Sequence, residues 1–168
     1  MTTMTTRAAE SKRTFESASP EVTTALGEAL GRVLASGHFV GLIGELGAGK
    51  TQFVRGVADG AGVPRSEVAS PTFAIVYPYQ GRITLHHADL YRLVDRDELY
   101  ATGFFDLVSG EGAVLVEWLD KIPEAAPAEL LRIEIEIVDE DRRRFHARAI
   151  GARHGTLLED WASAAGVR

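Results

Sequence analysis

The chain has no cysteine. That excludes disulfides, thiolate zinc sites and cysteine nucleophiles, and it is compatible with a reducing cytoplasm, where this protein is expected. No apolar run is long enough to span a bilayer, so no membrane role is expected. Positive charge is in deficit: 18 Lys and Arg stand against 24 Asp and Glu, a net charge of −6. A domain that grips nucleic acid by itself is usually basic, so tight direct RNA binding is disfavoured. No internal repeat occurs, and no low-complexity tract beyond Lys12. Met1 to Lys12 is polar, rich in Thr and Ser, and lacks the apolar stretch of a secretory signal. It is expected to be a disordered lead-in, residues 1–12, since Glu10 and the sparse Arg argue against a transit peptide. What the chain does have is apolar material, 45% of its 168 residues, enough to bury a core. Residues 13–168 are therefore expected to form a single domain.

The stretch Gly44-Glu45-Leu46-Gly47-Ala48-Gly49-Lys50-Thr51 fits the phosphate-loop pattern of Gly, four residues, Gly-Lys-Thr. Ahead of it Phe39-Val40-Gly41-Leu42-Ile43 is short, apolar and β-prone, and behind it Gln52 to Ala58 can continue as a helix. Strand, glycine-rich turn and helix are the context that the motif requires. Gly47 and Gly49 can take dihedrals that side chains forbid, which lets successive amides point into one oxyanion-binding concavity. The start of the following helix adds its positive end to the same place. In this pattern Lys50 reaches the β- and γ-phosphates and the Thr51 hydroxyl ligates Mg²⁺.

Ser19-Pro20-Glu21 is a helix start, with Ser19 as N-cap. Val22, Leu26, Ala29, Leu30, Val33 and Leu34 then share one face, and Gly37 ends the segment. Thr14-Phe15-Glu16 is a candidate edge strand. Ser70-Pro71-Thr72 precedes the apolar run Phe73 to Tyr77. By residue chemistry it is strand punctuation first, and a rigid pair of hydroxyls near a γ-phosphate second. Pro78 to Gly81 is expected as a turn, and Arg82 to Asp89 as the second strand of a hairpin. His86 and His87 are adjacent and face opposite sides, so at most one lies near a site. Asp89, at that strand's end, is a candidate for orienting water or for indirect metal contact, or else a turn cap. Asp95 caps a short helix that Gly103 stops, and Phe104, Phe105 and Leu107 are expected in the core.

Ala113-Val114-Leu115-Val116-Glu117-Trp118 is the second strong signal. A buried strand followed by an acid delivers a carboxylate to the carboxyl edge of an α/β sheet, where ligands bind. A phosphate-loop enzyme needs such an acid for Mg²⁺, directly or through water, so Glu117 is the candidate. Trp118 can stack on a ligand or simply pack. Pro123 to Pro127 is expected to be a loop. Ile133, Ile135 and Ile137 alternate with charged residues as a half-buried strand, and Phe145, Ala147 and Ala149 lie on the return strand. Beside Asp139-Glu140-Asp141, the run Arg142-Arg143-Arg144 is expected to be a solvated, self-neutralising hairpin tip. Thr156 to Ala165 is the expected C-terminal helix, with Leu157, Leu158 and Trp161 facing inward.

The phosphate loop, Phe53, Arg55-Gly56, Ser70-Pro71-Thr72-Phe73, His87-Ala88-Asp89-Leu90-Tyr91-Arg92, Glu98, Gly103 and Glu117-Trp118 occur in that order. From Ser19 to Leu119 the chain resembles the TsaE (YjeE) family of bacterial ATPases in tRNA threonylcarbamoyladenosine (t6A) synthesis. The resemblance implies an α/β, three-layer phosphate-loop (P-loop) NTPase fold with a mixed sheet and helices on both faces. It implies ATP and Mg²⁺ as cofactors and TsaD and TsaB as partners. That complex modifies the adenosine beside the anticodon of tRNAs reading A-starting codons, so tRNA is met only through it. Carried over, Gly47, Ala48, Gly49, Lys50, Thr51 and Gln52 hold phosphates, and Thr51 and Glu117 serve the metal. Thr72 and Asp89 sit by the γ-phosphate, Trp118 lies near the nucleotide, and Pro20 lies near the base. Lys50, Asp89 and Glu117 are the expected catalytic residues.

Three positions depart from the family pattern: Glu45 for Asp, Gln52 for Thr, and Leu119 for Pro. The first two flank the phosphates without altering Lys50 or Thr51, so tuning of rate or affinity is expected. The third loosens the placement of Trp118. The main expectation is a partner-dependent ATPase, because phosphate-side machinery is present without an evident acceptor pocket or an arginine-rich lid insertion. The alternatives are a small-molecule kinase and a non-catalytic nucleotide-sensing or RNA-binding module. The absence of an Asn-Lys-x-Asp box speaks against GTP.

Overall fold

A strand that is apolar at every position must be covered on both faces. The centre of this protein is built from such strands. The computed structural model describes residues 9–68 and 75–167, leaving aside the Arg65 side chain. In chain order the elements are β1 (Glu10–Ser17), α1 (Pro20–Val33), β2 (Phe39–Gly44), α2 (Lys50–Gly60), β3 (Val76–Gln80) and β4 (Thr84–Asp89). There follow α3 (Arg96–Ala101), α4 (Phe104–Val108), β5 (Ala113–Glu117), β6 (Leu130–Ile137), β7 (Arg143–Ile150) and α5 (Ala152–Ala164). The sheet order is β1-β7-β6-β2-β5-β4-β3. β6, β2, β5 and β4 run parallel, while β7, β1 and β3 add antiparallel edges.

Alternation sorts the apolar side chains onto two sides. Val40, Leu42, Leu115, Ile133 and Phe145 pack with α1, α2 and α5. Phe39, Ile43, Val114 and Val116 pack with Leu99, Phe104, Leu119 and Ile122 on the other side. The three-layer α/β architecture with a mixed sheet follows from those two cores.

Local signals explain the starts of two helices, α1 and α3. Ser19 Oγ accepts the Val22 amide, with Pro20 in the first turn. Asp95 Oδ1 accepts the Glu98 amide at the start of α3. Helix α1 closes at Leu34, three residues before Gly37, and Val22 is exposed rather than part of the buried face. Instead its contact surface is glycine. A Cβ on Gly31 would stand 2.0 Å from the Val57 carbonyl oxygen, and one on Gly60 would stand 2.1 Å from that of Glu28. Gly27 and Gly56 are equally tight, so α1 and α2 touch backbone to backbone.

Several boundaries differ from expectation. β1 takes in Glu10, Ser11 and Lys12, which pair with Ile150, Ala149 and Arg148, so those three are strand and not lead-in. Pro78, Tyr79 and Gln80 lie within β3 rather than in a turn. Proline is tolerated there because β3 is the sheet's last strand. Residues 104–108 form the short helix α4, residues 119–121 form a single 3₁₀ turn, and residues 123–125 form another within the stretch Pro123 to Pro127 expected as a loop. α5 begins at Ala152, four residues before Thr156, behind Gly151, which has no side chain to cap it. Trp161 of α5 stacks on Phe15, centroids 4.0 Å apart, and donates to the Leu26 carbonyl at 2.9 Å. Ser70, Pro71 and Thr72 lie outside the described residues.

Candidate active site

Three parallel strands end at one edge. β2 runs into the loop 45–49, β4 ends at Asp89, and β5 ends at Glu117, with Asp89 opposite Glu117 in register. A cavity of about 320 Å³ opens there, lined by Leu46, Gly47, Gly49, Lys50, Thr51, Gln52, Asp89, Tyr91, Glu117 and Trp118. Ala48 and Pro20 line an adjoining cavity of about 210 Å³, shared with Thr23, Gly49, Gln52 and Arg143. The residues expected at the site are thus brought together, apart from Thr72, which lies outside the described residues.

The loop has the shape its glycines allow. Gly47 and Gly49 have φ of +82° and +96°, in the left-handed region that favours glycine. Gly49 stands at the N-cap of α2, and among the described residues no side chain caps that helix, so its first amides face outward. Lys50 is buried and donates to the carbonyls of Gly44 (2.5 Å) and Glu45 (2.9 Å). Its ammonium also lies 3.9 Å from the centroid of the Trp118 ring. Burial lowers its pKa, while Glu117, Asp120 and Asp89 pull it back up. Trp118 is the one non-glycine with positive φ among the described residues, at 60°. For such a residue that conformation costs about 1–2 kcal/mol. It turns the indole toward Lys50 and against Tyr91, centroids 4.9 Å apart.

Glu117 is 2% exposed. Its Oε1 faces the Thr51 hydroxyl at 3.4 Å, and its Oε2 lies 2.7 Å from His87 Nε2. An ionised carboxylate can only accept, which puts a proton on His87 Nε2. The hydroxyl of Tyr79 stands 3.4 Å from the other ring nitrogen. His86 points to the opposite side, to the Glu111 carbonyl. Asp89 Oδ1 accepts the Tyr91 amide at 3.0 Å. Burial raises the Asp89 pKa above the usual carboxylate value, and that amide partly opposes the rise.

Thr51 and Glu117 suit a small hard cation, since both offer oxygen and one is an acid held away from bulk water. Among the described residues no three His, Asp or Glu cluster as a metal cage would need. A Mg²⁺ here would complete its shell with phosphate oxygens and water.

Two of the three departures, Gln52 and Leu119, make visible side-chain contacts. Gln52 donates to Thr24 Oγ1 at 2.6 Å and so ties α2 to α1. Glu45 is exposed, and it is its carbonyl that Lys50 uses. Leu119 sits over Gly41, where a Cβ would meet it at 2.2 Å.

The arginine run does not behave as one tip. Arg142 pairs with Asp139, and Arg144 with Glu16 and Glu136, as solvated surface pairs. Arg143 instead reaches the phosphate loop, donating to the carbonyls of Ala48 (3.1 Å) and Gly47 (3.2 Å). Thr23, Leu46, Tyr91 and Arg143 line the two cavities although no site role was expected of them.

A glycine loop between a parallel strand and a helix, facing an acid on the neighbouring strand, defines a protein of the phosphate-loop NTPase-like fold. The model of the family described as threonylcarbamoyl adenosine biosynthesis protein TsaE matches residues 17–145. The chain belongs to the TsaE family. The TsaE of Bacillus subtilis (strain 168) is 37% identical over 147 residues, covering 87% of this chain and 91% of that one. The TsaE of Aquifex aeolicus (strain VF5) is 38% identical over 128 residues, covering 75% and 88%. The crystal structure of Bacillus subtilis YdiB superposes with a TM-score of 0.77 at 30% identity, covering 92% of this chain and 97% of that one.

Proposed function

We propose that this protein binds ATP with Mg²⁺ at the edge of β2, β4 and β5 and hydrolyses it to serve t6A synthesis on tRNA, together with TsaD and TsaB in the cytoplasm. The observation that carries the proposal is the meeting of Lys50, Thr51, Asp89 and Glu117 around one cavity, with Thr51 Oγ1 and Glu117 Oε1 3.4 Å apart. Membership of the TsaE family supplies the biosynthetic context.

The residues divide the work. The amides of Gly47 and Gly49 and the start of α2 bind phosphate oxygens, while the Ala48 amide donates to the Glu45 carbonyl at 3.0 Å and braces the loop. Lys50 leaves the Gly44 and Glu45 carbonyls for the phosphates, exchanging two neutral acceptors for charged ones. Thr51 and Glu117 are the residues that would hold Mg²⁺, which would neutralise charge on the phosphate oxygens. Asp89 orients the attacking water with the oxygen that the Tyr91 amide does not use. Its raised pKa makes it a stronger proton acceptor than an ordinary aspartate. Pro20 and Thr23 line the side on which the base would rest.

The test is reconstitution with TsaD, TsaB, tRNA and γ-labelled ATP. The label should appear as inorganic phosphate, and t6A should accumulate over many turnovers only when this chain is present. Label transferred to a metabolite would establish the kinase reading instead. No turnover under any condition would leave a nucleotide sensor.

A further inference from the structure

The mechanism above leaves one cation at the site without a task. Arg143 opens β7 and pairs with Ile137, the last residue of β6, so the hairpin between them hangs beside the phosphate loop. Among the described residues its guanidinium bonds carbonyls only. Nε donates to Ala48 O at 3.1 Å and Nη2 to Gly47 O at 3.2 Å. Nη1 donates to the carbonyls of Asp139 (2.7 Å), Arg142 (3.0 Å) and Glu140 (3.3 Å). Among the described residues no carboxylate pairs with it, although Asp139, Glu140 and Asp141 are its neighbours in the hairpin.

We infer that Arg143 is a positioning residue of the phosphate loop, fixing the direction of its amides and linking nucleotide binding to the turn 138–142. The physical basis is the planar peptide. In a trans peptide the carbonyl of one residue and the amide of the next point in opposite directions. Holding the Gly47 and Ala48 carbonyls therefore turns the Ala48 and Gly49 amides away from the guanidinium, the Ala48 amide onto the Glu45 carbonyl at 3.0 Å and the Gly49 amide toward the cradle. Those peptides flank Ala48 and border Gly47 and Gly49, whose positive φ marks backbone free to rotate where nothing holds it. The planar fork of arginine can hold two adjacent carbonyls and a turn together, whereas a lysine ammonium cannot match that geometry. A cation paired only with carbonyl dipoles also keeps its charge available to phosphates bound across the loop.

The inference rests on nucleotide binding at this loop, and the test separates the two. ATP affinity with Mg²⁺ is measured by calorimetry on the intact chain, on Arg143→Gln, on Arg143→Lys and on Lys50→Ala. Arg143→Gln should bind about tenfold more weakly or worse, the scale of a lost hydrogen bond to a charged group. Arg143→Lys should recover little of that loss. If the intact chain binds no ATP, the nucleotide reading itself fails. If the intact chain binds and Arg143→Gln binds equally well, or lysine restores full affinity, the positioning role fails and the nucleotide reading stands. Hydrogen exchange on the unmutated chain gives an independent readout should Arg143→Gln not fold. Bound ATP should slow exchange across residues 138–143 and leave the turn at 81–83 unchanged, and no slowing at 138–143 overturns the inference.

Discussion

His87 Nε2 and Glu117 Oε2 lie 2.7 Å apart, with both side chains almost wholly buried. They stand on adjacent parallel strands, His87 opposite Leu115 and thus one step short of Glu117 on the same face. The histidine occupies one carboxylate oxygen and leaves the other to face Thr51. A carboxylate held at one oxygen presents the second in a fixed direction, which is what an oriented metal ligand requires. His87→Ala should therefore lower Mg²⁺-dependent turnover about 10- to 100-fold and raise the Mg²⁺ concentration needed. ATP binding without metal should remain near that of the parent. A metal titration of the hydrolysis rate beside a binding measurement in chelator checks both halves. Unchanged Mg²⁺ dependence would remove His87 from the metal side.

Lys50 makes a different prediction for binding and for stability. It is buried against Trp118 and two carbonyls, with its pKa lowered by that burial. Lys50→Ala should weaken ATP binding about 100-fold, since hydrogen bonds to charged groups contribute roughly 1.5–3 kcal/mol each. Folding stability should change by no more than about 1 kcal/mol, because losing two carbonyl contacts is offset by no longer burying a cation. Calorimetry reads the first effect and urea unfolding the second. Trp118 fluorescence should respond to ATP in the parent, as the ammonium leaves the ring, and not in the variant.

What was legible in the sequence was what lies close together along the chain. The loop 44–51, the Ser19 and Asp95 caps, and the apolar run ending in Glu117 each carry their signal within a few residues. Arg143 had no such signal. Its partners Gly47 and Ala48 are about a hundred positions earlier, and an arginine beside three acids looks like any hairpin tip. His87 was one of two adjacent histidines until β5 chose between them. The start of α5 was missed because Gly151 caps nothing. Gly27 and Gly31 were invisible to a search for apolar residues, since their part in the packing is the absence of a side chain.

That absence reverses a common rule. Replacing an exposed helical glycine by alanine usually stabilises by about 0.5–1 kcal/mol, because alanine loses less backbone freedom on folding. At Gly31 the new Cβ would stand 2.0 Å from the Val57 carbonyl oxygen, inside an α1–α2 contact that cannot yield without moving the phosphate-loop helix. Gly31→Ala should destabilise by about 2 kcal/mol or more, within the usual cost of overpacking. Melting should fall by roughly 4–8 °C for a chain of this size. An unchanged or higher melting temperature would show that α1 and α2 can separate cheaply.

The last prediction concerns acid. His154 is buried in α5, and its Nε2 accepts the Phe39 amide at the start of β2 at 3.0 Å. Accepting requires an unprotonated nitrogen. Burial, then nearby His38 and Arg153, push its pKa down to about 4 from an ordinary 6.5. His38 is lowered too, by burial and Arg153 against the pull of Asp160, and its Nδ1 accepts the Ala35 amide. Folded His154 thus holds its proton less tightly than unfolded His154. Between pH 6.5 and about 4 the unfolded chain carries more protons, so stability falls as pH falls. Two and a half pKa units correspond to on the order of 3 kcal/mol. His154→Gln keeps an acceptor for the Phe39 amide and removes the titration. Its urea-unfolding free energy should fall less steeply over that window than the parent's, by an amount of that order. Parallel curves for the two proteins would show that His154 does not couple protons to the packing of α5 on the strand that leads into the phosphate loop.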